Sequence, residues 1–229
     1  MLEGDEGRHA ARVKRALPDE LLLLGDGRGA LLTCRVRTVE GARLTLTVDG
    51  RDDVPAPDPS VTVVQALPKG ERGELAVELA TELGVDVVVP WDAERDVTRW
   101  RGDRAEKGRA RWERTAREAA KQSRRAWTPE VTDLATSAEV AARMSAAALS
   151  LVLHSDDLTA GTPLGEVDLP TAGEIVVVVG PEGGISPAEV ERFTAAGARL
   201  VRLGPEVLRT STAGAATLAA LAGRLGRWV

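Results

Sequence analysis

The sequence predicts an α/β protein with two domains, and two features of its pattern carry this prediction. Short strand-like runs separated by tight turns fill the first 66 residues, which is typical of a small β-barrel. After the proline-rich stretch at residues 54–59, strand-like and helix-like segments alternate, which is typical of a parallel sheet covered by helices. We therefore expect a boundary at this stretch, with domains at residues 1–58 and 59–229.

The first domain contains three strand-like runs, at residues 21–24, 30–39 and 43–48, with glycine turns between them. The alternating LTLTV of the third run predicts that one face of this strand contacts solvent. Cys34, the single cysteine of the chain, lies in an apolar run and is expected to be a small core residue. A single cysteine also excludes an internal disulfide and is typical of a reducing compartment.

The second domain has the rhythm of a parallel α/β sheet. Five apolar and mostly β-branched residues at 175–179 predict a strand that is buried on both faces. Ser186, Pro187 and Glu189 then form the start signal of a helix, with a capping box between Ser186 and Glu189. Further strands are predicted at residues 61–67, 85–90, 148–153 and 200–203, and further helices at residues 71–83, 109–125 and 212–225.

Charge is unevenly distributed along the chain. The formal net charge is −5, yet residues 94–127 carry 12 Lys and Arg against 6 Asp and Glu, a local charge of +6. The rest of the chain therefore carries −5 − 6 = −11. A basic segment on an acidic body is typical of a local phosphate contact, although a solvated helix face with compensating glutamates explains it equally well.

Hydropathy excludes some classes of protein. Apolar residues make up 43% of the chain, which is enough for a packed core. We find no signal-peptide pattern and no apolar run near 18 residues, so we expect a soluble, cytoplasmic protein without a membrane partner.

Two glycine-containing turns each follow a predicted buried strand. The first is Gly180-Pro181-Glu182-Gly183-Gly184 and the second begins at Gly204-Pro205. Such turns are expected at the carboxyl edge of an open sheet, where ligands of α/β proteins bind, although ordinary strand-to-helix turns look similar. Neither the P-loop pattern GxxxxGK[ST] nor the dinucleotide pattern GxGxxG is present, so a ligand with little phosphate charge is favoured over a nucleotide.

The segments VVGPEGGIS and LGPEVLRTSTA resemble the paired signatures of the SPOUT methyltransferases, and within them those of the RsmE family. The segments GRHAARVKRAL, KGERGELAVELATELGVDVVVP and AAKQSRRAWTPEV extend this resemblance over nearly the whole chain. It implies a PUA-like RNA-binding barrel followed by a SPOUT α/β domain with a trefoil knot. It further implies a homodimer that uses S-adenosyl-L-methionine to methylate uridine N3 in small-subunit (16S) ribosomal RNA. Relatives carry a further strand before the opening motif, so the barrel is expected to lack its first strand or to close differently.

The resemblance assigns residues to the cofactor and to RNA. No metal is expected. The expected cofactor-binding residues are Leu153, His154, Gly180, Pro181, Glu182, Gly183, Gly184, Ile185, Leu203, Gly204, Leu208 and Arg209. A side chain at Gly183 is expected to obstruct the first glycine turn. The expected contacts to ribosomal RNA, or to the small ribosomal subunit, are Arg8, His9, Arg12, Lys14, Arg15, Lys69 and Arg124.

Three residues are candidates for catalysis. Uridine N3 carries a proton at neutral pH, so its anion needs stabilisation, and a fixed guanidinium in a water-poor site provides it. Arg209 is the candidate for this role, with Thr210 expected to orient the base and Glu182 as a candidate proton acceptor. Two alternatives stay open, an RNA-binding assembly factor of the same fold without catalysis and a SPOUT methyltransferase that acts on another RNA.

For Trp127 and Gly73 the sequence raises the question of a contact with RNA. Trp127 is suited to stack on a base, but a tryptophan at a helix end is more often a packing residue. Relatives usually carry a lysine where Gly73 stands, so a role in RNA binding is not expected at that position.

Overall fold

The computed structural model describes residues 1–154 and 161–228. The chain divides into two compact units, Met1–Ala56 with Arg125–Trp127, and Pro57–Arg124 with Thr128–Val229. The assignment of residues 125–127 to the first unit had no signal in the sequence pattern. No helix in the described part of the chain is long and apolar enough to cross a membrane.

The first unit contains a three-stranded antiparallel sheet in the order β1-β2-β3, formed by Leu21–Gly25, Ala30–Glu40 and Arg43–Asp53. This confirms the three predicted strands. Its small core contains Val36 and Leu44, both fully buried. Cys34 is also buried, at 1% exposure, and burial raises the pKa of its thiol, so it is an unreactive core residue as predicted.

The start of this unit is helical, although the sequence pattern had predicted only strands there. α1 (Gly4–Arg8) continues as a π-helical turn at His9–Val13. Ala10 packs in the same core as Val36 and Leu44. The prediction was wrong because this helix is short and is stabilised by packing against the sheet rather than by its own sequence.

The second unit contains a seven-stranded parallel sheet in the order β6-β5-β4-β9-β7-β10-β8. This confirms the predicted parallel α/β architecture. The strands are β4 (Ser60–Ala66), β5 (Val87–Trp91), β6 (Glu130–Val131), β7 (Leu149–Leu153), β8 (Thr162–Pro163), β9 (Glu174–Val179) and β10 (Arg199–Arg202). The two-residue strands β6 and β8 are too short to have left a periodic signal in the sequence.

Helices cover both faces of this sheet, so the unit has three layers, with the sheet between two layers of helices. They are α2 (Arg72–Glu82), α3 (Asp103–Gln122), α4 (Ser137–Ala146), α5 (Pro187–Ala195) and α6 (Thr210–Arg224), and α4 was not predicted. Side chains of β9 alternate between the layers, since Val177 packs with α2, α3 and α6 residues and Val178 packs with α4 and α5 residues. Consecutive β-branched residues therefore fill both cores, as the pattern at 175–179 predicted.

Two tryptophans fix the packing of α2 against α3. The rings of Trp100 and Trp112 meet edge to face with centroids 5.0 Å apart. A Cβ atom at Gly73 would lie 2.9 Å from the Trp112 ring, and one at Gly108 would lie 2.4 Å from Trp100. Gly73 is therefore required by packing, which gives a physical reason for the absence of a lysine there.

Candidate functional site

A cavity of about 490 Å³ lies at the carboxyl edge of the parallel sheet, where β9, β7 and β10 end side by side. Every residue predicted from the sequence to bind the cofactor lines this cavity. Its described lining is Arg72, Leu153, His154, Val179, Gly180, Pro181, Glu182, Gly183, Gly184, Ile185, Val201, Arg202, Leu203, Gly204, Glu206, Val207, Leu208, Arg209, Thr210 and Ala213. The two glycine turns, which we call the first loop (residues 180–186) and the second loop (residues 203–209), thus frame one site.

The shape of the first loop requires glycine at two positions. Gly184 has φ +73°, in the left-handed region that L side chains rarely adopt. A Cβ atom at Gly180 would lie 2.6 Å from Cγ1 of Ile185, a buried residue of the same loop. The loop then enters α5 through the predicted capping box, in which Ser186 and Glu189 each accept a hydrogen bond from the other's backbone amide.

The predicted obstruction of the cofactor site by a side chain at Gly183 stays a prediction, because the distances here describe only how a Cβ atom would meet the protein. A Cβ atom there would contact Arg95 at 3.4 Å, an ordinary van der Waals distance, and its φ is not in the left-handed region. The carbonyl of Gly183 accepts a hydrogen bond from Nη1 of Arg95 at 3.2 Å. Gly184 and Gly180 are therefore the positions at which a side chain would disturb the loop.

Glu182 ties the first loop to the start of α2. Its Oε1 accepts hydrogen bonds from the backbone amide of Lys69 at 3.3 Å and from Nη1 of Arg72 at 3.5 Å. Both Glu182 and Arg72 are partly exposed, so this ion pair contributes little stability by itself. Its effect is to orient the carboxylate, and Arg72 had no signal in the sequence that marked it as a cavity residue.

Thr210 is the first residue of α6, and its side chain connects this helix to the first loop. Its hydroxyl donates to the carbonyl of Gly180 at 2.7 Å and accepts from Nε2 of Gln65 at 3.0 Å. Thr210 and Gln65 are both buried, at 6% and 2% exposure. The donor and one of the two lone pairs of this hydroxyl therefore brace the first loop against α6 and β4, and the predicted contact with a base stays a prediction.

Arg209 lies immediately before α6, at the end of the second loop, and its side chain is exposed. Within the described part of the chain, its guanidinium makes no hydrogen bond and no ion pair. Its backbone carbonyl accepts hydrogen bonds from the amides of Thr212 and Ala213, at 2.8 and 2.9 Å, which fixes the backbone at this point. The structure therefore places at the wall of the cavity a cation that has no partner among residues 1–154 and 161–228.

Arg202 is a third arginine of the cavity wall, and the sequence pattern did not single it out. It is the last residue of β10, and its Nε is buried without a hydrogen-bond partner in the described part of the chain. His154, which follows β7, donates its backbone amide to the carbonyl of Val201 at 3.1 Å. This bond aligns the ends of β7 and β10 at the cavity.

Asp96 is a buried carboxyl group beside the segment that carries Lys69. Its Oδ2 accepts from the amides of Leu67 at 3.2 Å and Ala93 at 2.9 Å, and its Oδ1 is buried without a hydrogen-bond partner among the described residues. Desolvation raises the pKa of Asp96 to about 7, against the lowering effect of the two backbone donors. In residues 1–154 and 161–228, no group of three or more His, Cys, Asp or Glu side chains is arranged to hold a metal ion.

The residues predicted to contact RNA do not all lie in one unit. Five of them lie in the N-terminal segment of the first unit: Arg8, His9 and Arg12 on its helical turns, and Lys14 and Arg15 directly after them. Arg8 is paired with Asp5 at 2.9 Å, and both side chains are largely exposed. Lys69 and Arg124 belong to the second unit and are also exposed.

Trp127 is a packing residue, as the more probable of its two interpretations predicted. Its Nε1 donates to the carbonyl of Val54 at 2.9 Å. Its ring lies so close to Gly29 that a Cβ atom there would be 2.9 Å away. The indole is therefore held inside the first unit.

Comparison with known proteins decides the family. The model of the RNA methyltransferase domain matches residues 55–222. The chain is 47% identical to ribosomal RNA small subunit methyltransferase E of Mycobacterium bovis, over all of this chain and 87% of that protein. The chain belongs to the ribosomal RNA small subunit methyltransferase E (RsmE) family.

Other RsmE proteins are similar at greater distance. The RsmE of Bacillus subtilis is 29% identical over 96% of this chain and 88% of its own length. The crystal structure of an RsmE from Neisseria gonorrhoeae bound to S-adenosyl methionine is 30% identical and superposes with a TM-score of 0.80, over 94% of this chain and 88% of that one. The RsmE resemblance seen in the two loop motifs is thus confirmed along the whole chain.

Proposed function

We propose that this RsmE-family chain transfers a methyl group from S-adenosyl-L-methionine to N3 of a uridine in small-subunit (16S) ribosomal RNA. It would act as an rRNA (uracil-N3-)-methyltransferase, in the cytoplasm and as a homodimer. The observation that carries the proposal is one cavity framed by two glycine loops, with Arg209, which has no ion pair within the described residues, in its wall. The RsmE of Neisseria gonorrhoeae, which has the same fold, was crystallised with S-adenosyl methionine.

The cavity fits this cofactor in shape and chemistry. Gly180 and Gly184 keep the first loop free of side chains that would fill the space or strain the backbone. Leu153, Ile185 and Leu203 give the cavity an apolar lining suited to an adenine ring and the methylene groups of the methionine chain. When bound, S-adenosylmethionine supplies an electrophilic methyl group, so the protein has mainly to position the acceptor and manage its proton.

Arg209 is proposed to stabilise the uridine anion. Its guanidinium has no protein partner in the described chain, so it is free to donate to O2 or O4 of the base as negative charge develops there. Its backbone is fixed by the start of α6, which limits reorganisation when the base arrives. The planar fork of a guanidinium is suited to this contact in a way that an ammonium is not.

Glu182 is proposed to accept the proton of uridine N3, and Thr210 to act as a positioning residue. Oε1 of Glu182 is held by Lys69 and Arg72, whereas its Oε2 has no hydrogen bond in the described part of the chain. A carboxylate oriented in this way can take a proton on its free oxygen. Thr210 keeps the first loop and α6 in register through its bond to the carbonyl of Gly180.

Three finer features of the fold also belong to the proposal. The loops that frame the cavity would form the trefoil knot of a SPOUT domain at residues 59–229. Residues 1–58, with the observed three-stranded sheet, would form a PUA-like barrel that binds ribosomal RNA. The final helix would contribute to the dimer interface, in addition to the core contacts made by Leu218 and Leu221.

Ribosomal RNA would contact residues 8–15 of the first unit through Arg8, His9, Arg12, Lys14 and Arg15. It would contact the second unit through Lys69 and Arg124. Replacing Arg8, Arg12 and Arg15 together by glutamine should weaken RNA binding. The slope of log affinity against log salt concentration should also become shallower, by the contribution of about three phosphate contacts. Fluorescence anisotropy at several salt concentrations measures both effects, with the exposed Arg51→Gln of β3 as a control. Equal RNA affinity in the triple variant would contradict this placement, and S-adenosylmethionine affinity should not change.

The experiment that tests the function combines purified protein, labelled S-adenosylmethionine and either free 16S rRNA or small ribosomal subunits. Nucleoside mass spectrometry should detect 3-methyluridine, and nuclease mapping should locate it at one position. Cofactor binding without transfer to either substrate would instead indicate an assembly factor without catalysis. Transfer to another RNA or to another atom would reject the proposed specificity but not the methyltransferase activity.

A further inference from the structure

Arg202 has a feature that neither of the other cavity arginines shares. It closes β10, in register with Pro163 of β8, and its Nε is buried without any hydrogen-bond acceptor. Within residues 1–154 and 161–228, its guanidinium forms no ion pair either. A guanidinium whose Nε is buried without an acceptor costs free energy in the folded protein, so its presence in a ligand cavity points to an anionic ligand group.

The other two arginines of the cavity are differently placed. Arg72 forms an ion pair with Glu182, with Nη1 and Oε1 3.5 Å apart, and Arg209 is exposed at the end of the second loop. Exposed cations suit the phosphates of a polymer that runs along the surface. A donor buried at the end of a strand suits instead a small anionic group that enters the cavity with the ligand.

The cavity also contains two acidic side chains, Glu182 and Glu206. Both would repel a ligand carboxylate, so a carboxylate-bearing ligand needs a cation in the wall that is not already neutralised. The fork of a guanidinium matches a carboxylate with two parallel hydrogen bonds. Arg202 and Arg209 both lack an ion pair in the described chain, but Arg209 is exposed at the end of the second loop, whereas Arg202 has a buried Nε in the cavity and therefore provides that cation.

We propose that Arg202 binds the carboxylate of the methionine part of S-adenosylmethionine, an inference that rests on the proposed function. Arg202 would then be a determinant of cofactor specificity, because it distinguishes ligands that carry this carboxylate from those that lack it. It would have no part in the transfer of the methyl group itself.

The test is a comparison of two ligands and two proteins by isothermal titration calorimetry. The ligands are S-adenosylmethionine and its decarboxylated form, which keeps the sulfonium and the amine. The wild type should bind S-adenosylmethionine about 10 to 100 times more tightly than the decarboxylated ligand. In Arg202→Met this ratio should fall to near one, because only the affinity for S-adenosylmethionine decreases.

Two further variants separate this effect from a general loss of structure. Arg202→Lys keeps the charge without the fork and should retain an intermediate ratio. Arg199→Met, on the exposed end of the same strand and outside the cavity lining, should leave the wild-type ratio unchanged. Thermal unfolding of each variant reports whether it is folded, and Arg202→Lys still tests the ratio if the methionine variant is not.

Two results would overturn the inference alone. One is an unchanged ligand ratio in Arg202→Met and Arg202→Lys, and the other is an equal loss of affinity for both ligands, as expected of a purely structural residue. If the wild type bound neither ligand, the proposed function would be overturned together with the inference. Binding of S-adenosylmethionine by the wild type therefore separates the two failures.

Discussion

The two loops that frame the cavity are held in different ways. The first loop has a buried proline and a buried isoleucine, and side chains from other elements bond to it. Thr210 donates to Gly180, Arg95 donates to Gly183, and Arg72 contacts Glu182. Its conformation is therefore fixed by the surrounding protein.

The second loop has few such contacts. Residues 205–209 are all exposed, including Val207 at 70% and Leu208 at 37% exposure. Its defining bonds are those at its end, where the carbonyl of Arg209 begins the hydrogen-bonding ladder of α6. A segment with few buried contacts has low local stability, so ligands can order it at modest cost.

The comparison indicates a division of labour. A rigid first loop gives a binding surface that is formed before any ligand arrives, which lowers the entropic cost of cofactor binding. An exposed second loop leaves Arg209 and two apolar side chains available to a substrate. Changes in the first loop should therefore affect cofactor binding, and changes in the second loop should affect turnover.

The largest effect is expected from Gly184→Val. A β-branched residue at φ +73° is strained, so the first loop must change conformation and S-adenosylmethionine binding should be lost. The matched change in the second loop is Pro205→Ala, at an exposed position outside the described lining of the cavity. Calorimetry should show near wild-type affinity for that variant, and equal losses in both would refute the comparison.

The next effect is on stability and concerns Asp96, which holds the segment next to the first loop. Its pKa is raised to about 7, so between pH about 4 and 7 the folded state binds more protons than the unfolded state. The free energy of unfolding should therefore fall with rising pH in this window, by at most about 4 kcal/mol, and level off above it.

Asp96→Asn is the control for this pH dependence, because it keeps an acceptor for Leu67 and Ala93 but cannot ionise. Urea unfolding at pH 5, 6, 7 and 8 should show the wild type losing stability relative to the variant as the pH rises. Parallel curves for the two proteins would mean that Asp96 ionises at its ordinary pKa.

Arg209→Ala tests the second loop. If the guanidinium stabilises the uridine anion only during transfer, single-turnover methylation should slow about a hundredfold, or about 3 kcal/mol, with little change in cofactor affinity. Arg209→Lys should restore part of the rate. A loss of cofactor binding or of the dimer, seen by calorimetry or sedimentation, would show instead that Arg209 has a structural role.

The smallest effect is expected from Thr210→Val, which removes the hydroxyl that bonds Gly180 of the first loop and Gln65 of β4. The carbonyl of Gly180 and the amide of Gln65 each lose a partner, at a cost of about 1–2 kcal/mol. S-adenosylmethionine affinity should fall about tenfold. Thr212→Val, on an exposed position two residues later, should bind like the wild type; a similar decrease in both variants would point to a general effect on α6.

The sequence by itself determined the parallel sheet and the loops that end at its edge. A run of β-branched residues such as 175–179 predicts a strand that is buried on both faces, from local sequence alone. A capping box likewise predicts the helix after the first loop. Because parallel strands end at a common edge, the two glycine motifs had to meet there. The family resemblance added the cofactor, and the residues it indicated do line one cavity.

Only the tertiary structure decided which side chains support those loops. Gln65 and Thr210 are 145 residues apart, and no local pattern predicts that they share a hydrogen bond. The same holds for the helix at residues 4–8, which is stabilised by packing rather than propensity, and for the buried Nε of Arg202. Periodicity reports which face of an element is buried, whereas partners and unpaired charges depend on how distant elements are brought together.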